Sequence, residues 1–421
     1  MTKYRISILL SLLSIGSYAQ IGNEGEMYVS PGTLVSCVFD FSNLENGELL
    51  NDGSMYYFGN LTNSGHYDFD SSVKNSYTFF DRSGLNDKLQ VIEGNEPIFF
   101  NNVIFNNPKK DQAFLASGSL YFLGTASFDK GIVNLLNDDT KIVFADKSTS
   151  IKQSDLSYVD GRVIKQGNTF FEYPIGNQNY YRPAFVSGTK KIKESVSAKY
   201  IYKDHNFFNE HTSISGIIDK LNTEEYWFVK DESTLSDSFL LGLSWDSRTT
   251  PKELLRDPEN ELHIVRWDEN AKIWVDEGGI ADLSAKTITT PTKVSGYGFF
   301  TLATVKKDWL NEGGVVIYNL VTPNGDGKND YFLIENINKY PNNRVEIFNR
   351  WGIKVFETSS YDSNGDGSLN VFNGYSNGRV TVDKGKKLPS GTYYYVVTYE
   401  YKDSSGSRLV KKAANLHLET N

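Results

Sequence analysis

Hydrophobic residues in the first third of the chain occur as short pairs separated by Gly, Asn and Asp. In the stretch NGELLNDGSMYYFGNLTNSGHYDF, glycines recur every six residues, at Gly47, Gly53, Gly59 and Gly65. Because glycine tolerates positive φ, this spacing predicts very short strands separated by tight turns. A β-solenoid and a meander of hairpins both fit the pattern, and we favour a solenoid-like stack over residues 20–150.

From residue 151 the pattern changes to longer apolar strands between glycine turns, which predicts a β-sandwich-like region over residues 151–305. The stretch ELHIVRWDENAKIWVDEGG predicts a hairpin, with Ile264 and Arg266 on one strand and Ile273 and Val275 on the other.

The same region contains a cluster of four tryptophans, at Trp227, Trp245, Trp267 and Trp274. An aromatic stripe can bind sugars by stacking, but large aromatic residues in a sandwich more often fill its core. We therefore predict that these rings are buried.

The first residues have the features of a secretory signal. A basic start is followed by an apolar run from Ile6 to Ile15 and by small residues up to Ala19. The run is shorter than the ~20 residues that a membrane-spanning helix needs. We therefore predict a signal peptide over residues 1–19, with cleavage after Ala19, rather than a membrane anchor.

Composition and charge favour a β-rich protein and argue against a nucleic-acid-binding one. Aromatic residues make up 14% of the chain, with 26 Tyr and 26 Phe, which is typical of sheets. Loss of Lys3 and Arg5 with the signal peptide would change the formal net charge from −9 to −11. An acidic chain does not suit a nucleic-acid backbone, so no nucleic-acid partner is predicted. Cys37 is the only cysteine and lies in an apolar stretch, which predicts a small core residue.

Candidate catalytic residues are few. The stretch DHNFFNEH groups Asp204, His205, Glu210 and His211, but a His spacing of six does not place both rings on one helix face. We predict an exposed loop here rather than a metal site. GxSxG, P-loop and Rossmann motifs are absent from the sequence, which favours a non-enzymatic protein. A hydrolase or lyase with a carboxylate pair is the alternative.

Two loops rich in Asn, Asp and Gly, at 321–330 and 363–370, have partial calcium-loop spacing. In the second loop, Gly367 occupies the turn position, but Asn373 replaces the bidentate Glu of an EF-hand. The candidate calcium ligands are Asp362, Asn364, Asp366 and Asn370. Ordinary turns are the alternative, because Asn-Gly and Asp-Gly pairs are common turn formers. Calcium is the one cofactor that the sequence suggests, more weakly at the first loop.

Three motifs follow in order after a polar linker predicted at residues 306–312. They are the opening loop Asn324, Gly325, Asp326, Gly327, Asn329 and Asp330; the hairpin turn Asn349, Arg350, Trp351 and Gly352; and the late strand beginning Pro389, Ser390, Gly391, Thr392 and Tyr393. Together, residues 313–421 resemble the gliding motility-associated C-terminal domain, the type B sorting domain of the type IX secretion system. The short strands in this segment also suit an immunoglobulin-like sandwich.

The resemblance implies export. Such proteins reach the periplasm by their signal peptide and cross the outer membrane by type IX secretion, to the cell surface or beyond it. Relatives often depend on an outer-membrane β-barrel of the PorP/SprF type, which is the expected partner besides the secretion machinery. We expect a structural or adhesive β-rich passenger that binds surface glycans or neighbouring cells. The alternatives are a carbohydrate-binding or carbohydrate-cleaving protein and an accessory component of the gliding or secretion machinery.

Overall fold

The computed structural model is almost entirely β. It describes residues 20–84, 88–110, 112–187, 195–215, 218–233, 238–291, 293–294, 296–306, 314–377, 387–403 and 406–420. The predicted signal peptide and most of the predicted linker lie outside these ranges. Among the described residues, no helix is long and apolar enough to cross a membrane. The predicted all-β class is confirmed.

The first part of the chain is a β-solenoid in which each coil adds one short strand to each of three parallel sheets. The six complete coils contain β1 (Gln20–Asn23), β2 (Glu26–Val29) and β3 (Leu34–Cys37); β4 (Asp40–Asn43), β5 (Glu48–Asn51) and β6 (Ser54–Tyr57); β7 (Leu61–Asn63), β8 (His66–Asp68) and β9 (Tyr77–Asp81); β10 (Gln90–Gly94), β11 (Ile98–Phe100) and β12 (Asn102–Asn106); β13 (Phe114–Ala116), β14 (Ser119–Phe122) and β15 (Thr125–Lys130); and β16 (Val133–Leu135), β17 (Lys141–Phe144) and β18 (Thr149–Ile151). A seventh coil begins with β19 (Val159–Asp160) and β20 (Val163–Gln166). The solenoid prediction is confirmed, and the hairpin meander is not observed among these strands.

Glycines mark the corners of the coils. Gly53 separates β5 from β6, and a Cβ added to it would lie 2.5 Å from the carbonyl oxygen of Thr33 in the preceding coil. A side chain would therefore push neighbouring coils apart at this corner. The six-residue spacing of the glycines is therefore the number of residues from one corner to the next, and a complete coil is longer.

An asparagine ladder fixes another corner. Asn23 donates through Nδ2 to Oδ1 of Asn43, and Asn43 donates in the same way to Asn63, each at 2.8 Å. Asn43 also donates to the backbone oxygen of His66 at 2.9 Å. These amides, of which Asn43 and Asn63 are buried, satisfy one another from coil to coil and so hold the coils in register.

Inward and outward residues alternate along each strand. On β9, Phe80 is fully buried, with the rings of Tyr57 and Phe105 at 5.5 and 5.7 Å. The adjacent Phe79 points outward and stacks on Tyr56 at 4.1 Å with an interplanar angle of 4°. Because Phe79 and Tyr56 cover one face of each other, this outer row offers little open ring surface to a ligand.

The next region is a two-sheet sandwich. Its elements are β21 (Phe171–Glu172), β22 (Gly176–Asn177), β23 (Tyr180–Tyr181), β24 (Ala184–Ser187), β25 (Ser195–Tyr202), α1 (His205–Glu210), β26 (Ile218–Leu221), β27 (Glu225–Asp231), β28 (Leu240–Ser244), a 3-10 turn (Lys252–Leu255), α2 (Pro258–Glu261), β29 (Leu262–Asp268), β30 (Ile273–Gly278), β31 (Ile280–Asp282), β32 (Thr287–Thr289) and β33 (Gly298–Val305). One sheet has the order β21-β24-β28-β32-β31. In the other, β20 of the solenoid pairs antiparallel with β25, so a single 13-stranded sheet crosses both regions.

One hydrophobic core runs through the solenoid and the sandwich. The parallel ladders continue past residue 150 to β19 and β20. The predicted hairpin is confirmed as β29 and β30. The four tryptophans and Cys37 are buried, as the sequence predicted, and burial raises the pKa of the Cys37 thiol to about 11.

The loop predicted around His205 and His211 is wrong, because α1 occupies this position. Asp204 caps the helix by accepting a hydrogen bond from the backbone N–H of Phe207 at 3.1 Å. Phe207 and Phe208 are then buried against aromatic neighbours, which anchors the helix to the sandwich. His205 and His211 therefore lie at the two ends of a helix whose role is to pack against the sandwich.

The last described region forms its own core. It contains β34 (Val316–Ile317), β35 (Leu320–Val321), β36 (Ile334–Glu335), a 3-10 turn (Ile337–Lys339), β37 (Arg344–Phe348), β38 (Lys354–Ser359), β39 (Gly391–Asp403) and β40 (Gly406–Leu418). A five-stranded sheet of order β35-β40-β39-β37-β38 is accompanied by the pair β34-β36. Seven strands in the described part of this region fit the predicted immunoglobulin-like arrangement.

A buried lysine lies where the solenoid joins the sandwich. Lys165 on β20 donates through Nζ to the backbone oxygens of Ala145 at 2.6 Å and Ser148 at 3.0 Å. The ring of Phe171 lies 5.0 Å from the same Nζ. Burial lowers the pKa of Lys165 to about 8, although the charge of Asp146 partly opposes this shift.

This lysine predicts a rise in stability with pH. The unfolded chain, with an ordinary lysine pKa, binds more protons than the folded chain between pH 8 and about 10.4. The free energy of unfolding should therefore increase by about 1 kcal/mol between pH 7 and pH 9 from this group. Urea denaturation of the wild type and of Lys165→Met at both pH values measures the difference. An equal pH response in both proteins would contradict the prediction.

Candidate functional site

The opening loop of the last region is closed around a carboxylate. Asp330 accepts hydrogen bonds from the backbone N–H groups of Gly325 at 2.6 Å and Gly327 at 2.7 Å, and these bonds lower its pKa. Asn329 has φ of 53° and Asn324 accepts from the N–H of Asp326 at 3.1 Å. Backbone donors thus already satisfy the charge at the centre of the loop, so a turn explains the motif without a metal.

The second loop uses its polar side chains in the same way. Asp362 accepts from the N–H of Gly367 at 2.8 Å, and Asp366 accepts from the N–H of Ser368 at 3.0 Å. The amides of Asn364 and Asn370 donate to Ser368 Oγ and to backbone oxygens. Among the described residues, no three His, Cys, Asp or Glu side chains lie close enough to hold a metal ion. Calcium at this loop stays a prediction.

The hairpin motif combines two roles. Asn349 Oδ1 accepts from the N–H groups of Trp351 and Ile353, both at 3.0 Å, and Gly352 adopts φ of 71°. These two residues form the turn. The Trp351 ring, in contrast, is 60% exposed, with the Arg350 guanidinium 4.2 Å from its centroid. The Trp351 side chain is therefore not part of the hydrophobic core of this domain.

The late motif anchors the long hairpin of β39 and β40. Tyr393 OH donates to the backbone oxygen of Pro389 at 2.9 Å, just before β39 begins at Gly391. Thr392 pairs with His417 of β40. The three motifs are far apart in sequence, but each one shapes a turn or strand end of the same small domain.

Residues 315–411 match the family model of the CHU_C type IX secretion signal domain. The chain carries a type IX sorting domain. The resemblance to a sorting domain is thereby confirmed, whereas the matched description does not mention gliding motility. The sorting domain implies interaction with the type IX secretion machinery and export to the cell surface or beyond it. Neither the curated proteins nor the solved structures contain a match to the chain.

The sorting domain packs on the passenger at a defined place. A Cβ added to Gly352 would lie 1.9 Å from Leu240 Cδ1 on β28, so the hairpin turn sits directly against the sandwich. Desolvation of the Lys411 ammonium group on β40 lowers its pKa, while the charges of Glu277 and Asp276 on β30 oppose this shift. Between the two domains lies a cleft of about 950 Å³. This volume is within the range of small-molecule sites.

A buried ion pair supports the passenger side of this cleft. Arg182 Nη2 lies 3.0 Å from Glu225 Oε1, and both side chains are almost fully buried. Glu225 also accepts hydrogen bonds from Tyr200 OH at 2.7 Å and Thr250 Oγ1 at 2.6 Å. The pair is 43 residues apart in the chain. The sequence reasoning missed it, because Glu225 begins β27 whereas Arg182 lies in the short connection between β23 and β24, and no local pattern links the two.

Proposed function

We propose that this protein is an exported structural or adhesive protein of the cell surface and that its passenger is not an enzyme. The observation that carries the proposal is the fusion of a sorting domain to one continuous solenoid and sandwich. A solenoid repeats the same outer surface from coil to coil, which suits broad, weak contacts. The buried charges of Arg182 and Glu225 in the passenger pair with each other, which is a structural role.

The proposal includes a route and partners. A signal peptide at residues 1–19 would deliver the chain to the periplasm, and an outer-membrane β-barrel of the PorP/SprF type would assist the sorting domain. Surface glycans or neighbouring cells are the proposed ligands of the passenger. A carbohydrate-binding protein is the second candidate, because exposed aromatic side chains border the interdomain cleft.

Labelling of intact cells tests the export part of the proposal. The full chain should react with a membrane-impermeant reagent, whereas a chain that lacks residues 313–421 should remain inside. A fusion of residues 313–421 to an unrelated periplasmic reporter is the matched control and should reach the surface. Surface labelling of the truncated chain, or retention of the full chain, would contradict the proposal.

Adhesion requires a separate measurement. Cells that produce the full chain should bind more strongly to a glycan-coated surface than cells that lack it. Equal binding by both, with surface labelling intact, would leave export standing and overturn the adhesive role.

A further inference from the structure

We propose that the cleft between the sandwich and the sorting domain binds a neutral oligosaccharide. The inference deepens the proposed function, because it gives the adhesive passenger a ligand class and a site. It is argued from the two walls of the cleft, from the chemistry of its lining and from the exposed rings at its border.

The passenger wall is the outer face of the sheet β21-β24-β28-β32-β31. Strand register places Glu172, Phe185, Gly242 and Thr289 in one row across four strands. Their sequence neighbours Val186, Leu241 and Ile288 point into the core, so this row faces away from it. The row is the floor of the cleft.

A glycine shapes this floor. A Cβ added to Gly242 would lie 3.1 Å from Phe185 Cβ and 3.3 Å from Thr289 Oγ1. The missing side chain therefore lowers the middle of the row between an aromatic ring and a hydroxyl. Strand interiors rarely use glycine unless another group must approach closely. A ring-shaped ligand can lie here with one face on Phe185.

The sorting-domain wall is the hairpin turn. Trp351 contributes a ring that is 60% exposed and is backed by Arg350, and Gly352 fixes the turn against Leu240. At the passenger border of the cleft, Phe170 is 62% exposed and stacks on Phe185 at 6.2 Å. Large aromatic residues on opposite walls are thus open to the same space.

The lining selects an uncharged ligand with hydroxyl groups. The formal charges of the lining residues Glu172 and Asp246 equal in number those of Lys286 and Arg350. Asp246 is paired with Arg248, which also pairs with Asp155, and the charge of Arg182 is neutralised by Glu225. Hydroxyls of Thr287 and Thr289 and the amide of Asn168 supply the other polar groups. Sugars present C–H faces to aromatic rings and hydroxyls to such groups, so an oligosaccharide matches both features. The lining of the cleft therefore has no large excess of positive or negative charge that would attract a strongly charged ligand.

Titration calorimetry with the purified full chain tests the proposal. The probes are cellohexaose, xylohexaose, laminarihexaose and mannohexaose, with an uncharged Tyr-containing hexapeptide in parallel. We expect at least one sugar to bind, and Trp351→Ala to weaken that binding by about tenfold. Trp351→Phe keeps an aromatic ring and should restore most of the affinity. Tyr28→Ala removes a side chain that is also 60% exposed, but on the solenoid, and should have no effect.

Tryptophan fluorescence gives an independent readout. The four other described tryptophans are buried, so the difference between wild type and Trp351→Phe in acrylamide quenching isolates the ring at the cleft. The bound sugar should protect this ring. The proposal is overturned if no sugar binds or if only the peptide binds. It is also overturned if neither Trp351→Ala nor Phe185→Ala changes the affinity for the sugar. Because the assay uses purified protein, these outcomes are independent of surface labelling.

Discussion

Replacement of Glu225 by Ala is expected to lower the free energy of unfolding of the passenger by about 3–5 kcal/mol, because it leaves a buried guanidinium without its counter-ion. Arg182 is almost fully buried and contacts this carboxylate through Nε and Nη2, at 3.2 and 3.0 Å. Tyr200 and Thr250 would lose their acceptor at the same time. Urea denaturation of both proteins at pH 7 measures the loss.

Two further variants separate charge burial from the loss of packing. The double variant Arg182→Met with Glu225→Leu removes both charges and should recover most of the stability. Asp129→Ala breaks the exposed pair with Lys152, whose Nζ lies 3.0 Å away, and should cost no more than about 1 kcal/mol. If Glu225→Ala and Asp129→Ala destabilise equally, the buried pair has no special role.

Truncation of Phe80 to Ala should also destabilise the passenger by about 3–5 kcal/mol, because it opens a cavity in the solenoid core. The Phe80 ring contacts the ring of Tyr57 in the preceding coil and the rings of Phe100 and Phe105 in the following coil. Its loss removes contacts on several sides at once, and neighbouring coils cannot move inward without breaking their ladders. Thermal and urea unfolding measure the effect.

The preceding residue is a matched control for this prediction. Phe79→Ala removes the same side chain from the same strand, but from its outer face, where it stacks on Tyr56. The expected cost is about 0.5–1.5 kcal/mol. Similar values for the two variants would mean that burial in the solenoid core contributes little.

The sequence predicts features that depend on neighbours in the chain. Glycine spacing predicts the solenoid corners, and alternation predicts the hairpin of β29 and β30. Ordered motifs predict the sorting domain, which is confirmed over residues 315–411. The Asn ladder was also readable, because Asn23, Asn43 and Asn63 recur every 20 residues. The longer connections of later coils end that period, so it does not extend through the solenoid.

Features that depend on strand pairing could not be predicted in this way. The row on the cleft floor joins β21, β24, β28 and β32. These strands keep their sequence order in the sheet, but connections of unequal length, with strands that pair elsewhere, separate them along the chain. Nothing local marks Phe185 or Gly242 as neighbours. The cap that turns the His205 segment into a helix was local, but the two phenylalanines that stabilise it depend on aromatic partners elsewhere in the chain.

The sheet that continues from the solenoid into the sandwich also has a mechanical consequence. Because β20 and β25 join the two parts of the passenger in one sheet, a pull on the first coil is transmitted from the solenoid to the sandwich through strand hydrogen bonds. Each coil of the solenoid contacts mainly its two neighbours, so the coils should detach one at a time from the free end. A released coil of 20 residues, the register spacing of the first coils, extends by roughly 70 Å. Under load the solenoid would lengthen in steps and absorb work.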